Sequence, residues 1–262
     1  MQPKPAHLGP RYGVQFADPG VVAAYDQRPP YPAEVFTLLT ALLPAAPQIV
    51  LDAGCGSGDL ARPLAALVGR VDAVDPSAAM LARGRARPGG DAANLHWLPS
   101  TIEDAPLRPP YALITAGESL HWMEWAVVLP RFRAALDPAG FLAIVGRATP
   151  DLPWWGAVLR LIQRHTTNRE YQPYDLVTEL TTRGLFREAG RRQTAPQPFR
   201  QSVDAYIESI HSRNGFSRAR MTRAAADEFD AAVRAVVAPF AQDDELPMQV
   251  VGTVIWGTPL AV

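Results

Sequence analysis

The sequence predicts an α/β fold built on a seven-stranded, mostly parallel sheet with helices on both faces. Between residues 48 and 146, five short apolar runs alternate with helical stretches, a pattern typical of parallel sheets. Two later runs, 191–199 and 249–256, are predicted to complete the sheet. With 262 residues and 48% hydrophobic content, the chain can bury the core of one domain over residues 1–262.

The composition narrows the range of partners. The net charge is −1, so charge gives no support for nucleic-acid binding. Cys55 is the only cysteine, which excludes an intramolecular disulfide, and no spacing of metal ligands is present. The N-terminus lacks the apolar core of a signal peptide, and no apolar run is long enough for a membrane span. We therefore expect a cytoplasmic monomer or homodimer that acts on a small molecule, without nucleic-acid or membrane partners.

The segment before the first strand is predicted to be an arm, residues 1–32, and a helix is predicted over 33–43. The arm contains the stretch YDQRPPYP, residues 25–32, whose prolines stiffen the chain and exclude a long helix. Its aromatic side chains leave two interpretations open. Tyr25 and Tyr31 either pack the arm onto the domain surface or belong to a lid over a ligand.

The glycine-rich stretch LDAGCGSGDL, residues 51–60, lies where a strand is predicted to turn into a helix, and such turns face the ligand crevice. The dinucleotide pattern G-x-G-x-x-G needs its third glycine one position after Gly58, where Asp59 stands. A carboxylate at that helix start would repel a diphosphate. Together with Asp52, it favours a ligand that has a cationic centre and no phosphate, such as S-adenosylmethionine.

The second predicted strand, 70–75, ends in a carboxylate. Asp75 lies 17 residues after Gly58, the length of one helix and one strand, so we expect it beside the glycine turn. A carboxylate there can accept hydrogen bonds from both hydroxyls of a ribose. Capping of the next helix is the alternative role, but Ser77 is also a good N-cap, so both roles can be filled.

The fourth and fifth strands are predicted over 111–116 and 141–146, and the third over 94–98. The fourth is followed by Gly-Glu-Ser-Leu-His-Trp, at the end of the strand where polar groups reach the crevice. His121 is either a general base, because an unperturbed histidine titrates near neutral pH, or a structural group at the rim. Glu118 either interacts with an amine or hydroxyl substrate or points to solvent.

These motifs together resemble the class I S-adenosylmethionine-dependent methyltransferases, in particular the trans-aconitate methyltransferase-like (methyltransferase type 11) group. The similarity lies in the acid and G-x-G-x-G of residues 52–58, the F…Y…RPxYP segment of residues 16–32, and the run 117–122. It implies a Rossmann-like fold, S-adenosylmethionine as the cofactor and S-adenosylhomocysteine as the product.

The resemblance also implies roles for individual residues. Arg28 is expected at the methionyl carboxylate, since an arginine fork matches a carboxylate. The backbone at Ile102 is expected at the adenine ring, with Glu103 or Asp104 at its exocyclic amine, although Asp104 also fits an ordinary solvated turn. Trp122 is expected on or near the adenosyl group. The implied cofactor-binding residues are Tyr25, Arg28, Asp52, Gly54, Cys55, Gly56, Asp75, Pro76, Met80, Ile102, Glu103, Ala116, Ser119 and Trp122.

After residue 150 the pattern changes to helices and aromatic residues. An insertion over 150–190, with a continuation over 202–237, is expected between the fifth and sixth strands as a lid over the substrate. For any one aromatic side chain, core packing is the alternative. The candidate substrate residues are Tyr31, Trp154, Trp155, Tyr171 and Tyr174, and the candidate catalytic residues are Glu118 and His121.

The predicted function is methyl transfer from S-adenosylmethionine to a small-molecule acceptor. An oxygen acceptor, carboxylates included, is preferred; a carboxylate would need no base, whereas an alcohol or phenol would need one. Three other interpretations remain: a protein that binds S-adenosylmethionine without transferring the methyl group, a nicotinamide-dependent oxidoreductase, and a methyltransferase that acts on a macromolecule.

Overall fold

The computed structural model describes residues 4–9, 13–46, 48–172 and 174–260. Six positions of the predicted arm, 1–3 and 10–12, and Pro173 in the predicted lid lie outside the described residues. The chain divides into two compact units, each described here by itself. The helical unit comprises residues 1–30, 148–172 and 196–251, and the sheet unit comprises 31–147, 173–195 and 252–262.

The sheet unit is built on parallel strands. In sequence order the strands are β1 Ile49–Ala53, β2 Arg70–Asp75, β3 Leu95–Pro99, β4 Tyr111–Gly117, β5 Leu136–Ala148, β6 Phe186–Gln193, β7 Gln197–Ser202 and β8 Glu245–Pro259. The order across the sheet is β3-β2-β1-β4-β5-β8-β6, with β7 paired to β8 off this path. The strands β1 to β5 pair in parallel, which confirms the predicted α/β class.

The parallel register places the ends of three strands together. Asp52 on β1 lies opposite Ala73 on β2 and opposite Thr115 on β4. The residues that follow these strands therefore meet at one edge of the sheet, where open α/β sheets bind their ligands. The first helix after the glycine turn begins at Ala61, so the turn itself lies at that edge.

The helices follow the predicted pattern, with changed ends. They are α1 Pro19–Ala24, α2 Ala33–Thr40, α3 Ala61–Ala65, α4 Ala78–Arg85, α5 Trp125–Ala135, α6 Trp155–His165, α7 Leu176–Thr182, α8 Val203–His211 and α9 Arg223–Val237. Helix α4 begins after Ser77, whose hydroxyl accepts a hydrogen bond from the Met80 N–H at 3.3 Å. Ser77 is thus the N-cap, which leaves the Asp75 carboxylate available for another role.

The prediction of a single strand over 191–199 is wrong, and the sheet has eight strands instead of seven. Strand β6 ends at Gln193 and β7 begins at Gln197. Pro196 lies between them and has no N–H to donate to a ladder. Thr194 also leaves the strand pattern, since its hydroxyl accepts a hydrogen bond from the Gly252 N–H at 2.9 Å. Strand β8 is long enough to pair antiparallel with both, through 253–259 and 245–250.

Each unit has its own apolar core. In the sheet unit, buried side chains of β1, β2 and β4 pack with those of α2 and α3, for example Val50, Val71, Leu113, Val35 and Leu64. In the helical unit, α6, α8 and α9 pack on the first half of β8, with Trp154, Val158, Ile207, Phe229 and Leu246 at the centre. The predicted lid over 150–190 is therefore divided, because residues 173–195 belong to the sheet unit.

Candidate functional site

The glycine turn leaves β1 through a left-handed backbone. Gly54, Gly56 and Gly58 have φ angles of +68°, +55° and +78°, a region that side chains with a Cβ rarely adopt. The N–H groups of Gly54 and Cys55 both donate to the Val74 carbonyl of β2, at 2.8 and 3.0 Å. The turn is therefore fastened to the neighbouring strand by its own backbone.

Close packing also requires glycine at two of these positions. A Cβ on Gly54 would lie 2.6 Å from the Ser119 Cβ, and one on Gly58 would lie 2.5 Å from the Trp97 ring. On the first side, the Ser119 hydroxyl donates to the Ala53 carbonyl at 2.6 Å. The turn is thus held between the residues after β4 and the ring on β3.

Asp75 lies against the glycine turn. One carboxylate oxygen accepts the Gly56 N–H at 2.8 Å, and the other accepts the Ser77 N–H at 2.8 Å. Burial raises the pKa of this carboxyl, although both backbone hydrogen bonds lower it. Each carboxylate oxygen has a second acceptor position, so the group can still accept hydrogen bonds from a ligand. Its role towards a ribose stays a prediction.

Asp52 is a buried acid, and only one of its two carboxylate oxygens has a well-formed hydrogen bond. Its side chain is buried at the end of β1, and one oxygen accepts the Thr115 hydroxyl at 2.8 Å. The other oxygen, Oδ2, has no well-formed hydrogen bond. Burial raises the pKa of Asp52 to about 7, and hydrogen bonding by the Thr115 hydroxyl and the Ala61 N–H offsets part of this rise. A cationic group nearby would stabilise the ionised carboxylate.

The negative charge of Asp59, by contrast, is offset by arginine side chains of the protein itself. Its carboxylate lies 3.5 Å from the Arg62 guanidinium, 3.6 Å from that of Arg87 and 3.2 Å from that of Arg147. The expectation that Asp59 itself favours a cationic ligand is therefore wrong, because three guanidinium groups already offset its charge. The preference for a cation falls on Asp52 and Asp75.

Arg147 was missed by the sequence reasoning. It lies at the carboxyl end of β5, and its side chain is 5% exposed. Besides Asp59, it lies 3.5 Å from the Glu118 carboxylate and stacks on the Tyr31 ring, with its guanidinium carbon 4.4 Å from the ring centroid. The rule that polar residues after parallel strands reach the crevice, applied above only to β4, would have found it.

The residues after β4 include one with a strained backbone and two aromatic rings in contact with each other. Glu118 has a φ angle of +52°, uncommon for a residue other than glycine, and its N–H donates to the Val145 carbonyl at 3.0 Å. His121 and Trp122 are half-buried, and their rings lie 4.6 Å apart. Ala116 is fully buried within β4.

The predicted adenine loop has internal contacts of its own. Glu103 accepts the Glu124 N–H at 2.8 Å and so caps α5, whereas Asp104 accepts the Thr101 hydroxyl at 2.9 Å. Ile102 is buried. Of the remaining predicted cofactor residues, Met80 and Cys55 are buried and Pro76 is exposed.

Other predicted site residues belong to the helical unit. Arg28 donates to the Ser212 hydroxyl at 2.9 Å and to the Ser212 carbonyl at 2.6 Å, and it lies 4.2 Å from the centroid of the Tyr25 ring. Trp154 is a core residue whose indole N–H donates to the Tyr206 hydroxyl at 3.1 Å. Their roles towards a cofactor or a substrate stay predictions.

The remaining aromatic candidates differ in exposure. Trp155 is 40% exposed and Tyr171 is 59% exposed, so neither forms part of a core. Tyr174 is half-buried. Among the residues that the structure describes, no group of three metal-binding side chains is found, and no helix combines the length and the apolar character of a membrane span.

Comparison with known proteins supports a methyltransferase domain. Residues 50–140 match a family model described as a methyltransferase domain. An uncharacterized methyltransferase of Mycobacterium bovis is 37% identical over 117 residues, which cover 44% of this chain and 58% of that protein. A ubiquinone biosynthesis O-methyltransferase of Nitrobacter winogradskyi is 33% identical over 95 residues, 36% of each chain. The chain thus spans little more than half of the mycobacterial relative.

Solved structures agree in fold. A structure from Anaeromyxobacter dehalogenans, described as a candidate type II methyltransferase, has a TM-score of 0.61 and 25% identity and covers 88% of this chain and 97% of its own. A methyltransferase from Geobacter sulfurreducens bound to S-adenosylhomocysteine has a TM-score of 0.50 and 17% identity, with 88% and 92% covered, which shows the fold alone. Residues 50–140 thus match a methyltransferase domain, and the fold agrees with that of solved methyltransferases; membership of the class I S-adenosylmethionine-dependent family and of its trans-aconitate group stays a prediction.

Proposed function

We propose that the whole protein is an S-adenosylmethionine-dependent methyltransferase that acts on a small molecule and prefers an oxygen acceptor. The observation that carries the proposal is the pair of acids at the glycine turn. Asp75 accepts the Gly56 N–H, and Asp52 keeps a buried oxygen without a well-formed hydrogen bond, although the Ala61 N–H lies close enough to lower its pKa. A ligand with ribose hydroxyls and a cationic amino acid end matches both groups.

The residues at this edge would bind different parts of the cofactor. Asp75 would accept the ribose hydroxyls, and Asp52 would stabilise the ammonium group, directly or through water. The left-handed glycines let the ligand approach the main chain. S-adenosylmethionine, when bound, supplies a methyl group made electrophilic by its sulfonium, so the protein must chiefly orient the acceptor and exclude water.

The oxygen preference rests on the relatives and on the residues after β4. Ubiquinone biosynthesis O-methyltransferases are among the relatives, although each match spans less than half of this chain. A hydroxyl acceptor must lose a proton when it attacks, and the run from Glu118 to Trp122 offers Glu118 and His121 as acceptors of that proton.

Calorimetry with S-adenosylmethionine and S-adenosylhomocysteine tests the proposal. We expect Gly56→Val to abolish binding, because a side chain would occupy a left-handed position in the turn. We expect Asp75→Ala to weaken it about 10- to 100-fold, since it removes hydrogen bonds to a charged acceptor. Gly146→Val, where no atom lies within 4 Å of the added Cβ, and Asp91→Ala, at an exposed acid, are the matched controls.

The outcome separates the remaining interpretations. Wild-type affinity in both site variants would show that the cofactor binds elsewhere. Binding of NADH that is tighter than binding of S-adenosylmethionine would favour an oxidoreductase. A protein that binds S-adenosylmethionine but forms no S-adenosylhomocysteine with any alcohol, phenol, amine or carboxylic acid would favour a binding protein. Melting curves of each variant establish that it is folded.

A further inference from the structure

The ion pair between Glu118 and Arg147 lies at the carboxyl ends of two neighbouring strands. Glu118 directly follows β4, and Arg147 is the last residue but one of β5. Glu118 also precedes Ser119, whose hydroxyl is bonded to Ala53 beside the glycine turn. The pair is thus one residue in sequence from Ser119, which contacts the glycine turn, at the same edge of the sheet as the proposed cofactor site.

The two charges of this pair differ in accessibility. The Arg147 side chain is 5% exposed, whereas that of Glu118 is 31% exposed. The Arg147 guanidinium lies between the Glu118 and Asp59 carboxylates and against the Tyr31 ring. An approaching molecule therefore meets the Glu118 carboxylate first, because the guanidinium that pairs with it is buried.

The backbone at Glu118 gives an independent sign of function. A residue other than glycine with a φ of +52° is strained, and such strain persists where the surrounding structure fixes it, often at functional sites. Gly117, just before it, is also constrained, because a Cβ there would lie 2.7 Å from Leu60 Cδ1 and 3.0 Å from the Tyr31 hydroxyl. The position of the Glu118 carboxylate is therefore set by packing on both sides.

We propose that Glu118 receives the nucleophile of the methyl acceptor, that this nucleophile is an alcohol or phenol hydroxyl, and that Arg147 is the positioning residue. A carboxylate acceptor is disfavoured because it would meet a like charge, the accessible carboxylate of Glu118. The inference rests on the proposed methyl transfer and narrows its acceptor class.

The proton and electron balance is complete with these groups. The hydroxyl donates a hydrogen bond to a Glu118 oxygen, and that oxygen takes the proton as the new oxygen–carbon bond forms. The electron pair of the broken carbon–sulfur bond stays on sulfur. Glu118 then returns the proton to water, and no further reactant is needed.

The test compares acceptors that share one ring and differ in the nucleophile: a phenol, a benzylamine and a benzoate. Formation of S-adenosylhomocysteine is measured for wild type, Glu118→Gln, Arg147→Lys and Arg147→Met. We expect wild type to prefer the phenol at least tenfold. Glu118→Gln should lower kcat by 100-fold or more, with cofactor affinity changed less than threefold. Glu124→Gln, an exposed exchange in the same unit, is the control.

Arg147 is distinguished from a purely structural residue by kcat at saturating acceptor. In Arg147→Met we expect kcat for the phenol to fall at least tenfold with an unchanged melting temperature, because the Glu118 carboxylate loses the guanidinium that positions it. Arg147→Lys, which keeps a cation, should restore most of kcat. In a Glu118→Gln background, Arg147→Met should cause little further loss of kcat. An unchanged kcat in Arg147→Met, or an equal loss in both backgrounds, would overturn its positioning role.

Binding provides a second readout that needs no turnover. With the protein saturated by S-adenosylhomocysteine, we expect the phenol to bind about tenfold tighter than the benzoate by ligand-observed NMR, and Glu118→Gln to narrow that gap at least threefold. Equal binding, or a preference for the amine or the benzoate, would overturn the proposal. Absence of cofactor binding in wild type would instead overturn the proposed function itself.

Discussion

Replacing Asp52 by asparagine should remove a large part of the pH dependence of the protein's stability. In the folded chain burial raises the pKa of Asp52 to about 7, against 3.8 for an aspartate in the unfolded chain. The exchange keeps the shape of the side chain, and its carbonyl can still accept the Thr115 hydroxyl that now lies 2.8 Å from Oδ1. It removes the ionisation of this buried group and places an NH2 group where the second carboxylate oxygen was.

The direction in which stability changes with pH follows from the number of protons that the folded and the unfolded chain bind. Between pH 3.8 and about 7 the folded carboxyl holds a proton that the unfolded one has lost, so stability falls as the pH rises through this window. The difference corresponds to about 4 kcal/mol at most, at about 1.4 kcal/mol per pH unit. Relaxation around a buried charge will make the measured loss smaller.

Urea unfolding at pH 5, 6, 7 and 8 measures this loss. The free energy of unfolding of wild type minus that of Asp52→Asn should fall steadily up to pH 7 and then level off. Asp91→Asn, an exposed exchange, should give a flat difference. Parallel curves for wild type and Asp52→Asn over the whole range would refute the reasoning, because the buried carboxyl would then titrate as it does in the unfolded chain.

The same carboxyl predicts how cofactor binding responds to pH. A cationic ligand favours the ionised form, so binding of S-adenosylmethionine should release a proton below pH 7. Affinity should then fall with decreasing pH, up to tenfold per pH unit. Asp52→Asn should bind more weakly at pH 8 and show no such slope. Calorimetry in two buffers of different ionisation enthalpy measures the proton release directly.

Three further changes test the packing around the site and in the helical unit. Gly84→Ala should cost about 1–3 kcal/mol of stability by urea unfolding, since its Cβ would lie 2.5 Å from the Trp97 ring and 2.8 Å from the Ser57 carbonyl of the glycine turn. Tyr111→Phe should cost about 1–3 kcal/mol, because the hydroxyl that bonds the buried Asp72 at 2.8 Å is lost. Trp154→Ala should lower the melting temperature, at a cost of about 3–5 kcal/mol, if this ring is core instead of substrate pocket; a changed KM with an unchanged melting temperature would reverse that assignment.

The sequence predicted those parts of the fold whose signals are local. The alternation of apolar runs gave strands β1 to β5, and the distance from Gly58 to Asp75 gave their proximity because one helix and one strand separate them. The strand break at Pro196 was missed although the sequence marks it, since a proline has no N–H to donate to a ladder. The position of Arg147, directly after the predicted fifth strand, marked it as a candidate, but its contact with Asp59, 88 residues away in sequence, has no local signal.

The acids around the glycine turn show why a sequence can name candidate binding residues but cannot choose between them. Asp52, Asp59 and Glu103 look alike in a sequence, since each is an acid near a predicted crevice. In the fold Asp59 faces three guanidinium groups and Glu103 accepts the Glu124 N–H, whereas Asp52 has no cationic partner and keeps a buried oxygen without a well-formed hydrogen bond. A cationic ligand gains the most binding free energy beside a buried carboxylate that has no cationic partner. There it offsets the cost of removing that carboxylate from water, which the protein itself has not offset. The charge preference of the site therefore depends on which acid the long-range contacts leave unsatisfied, and only the three-dimensional arrangement reveals that it is Asp52.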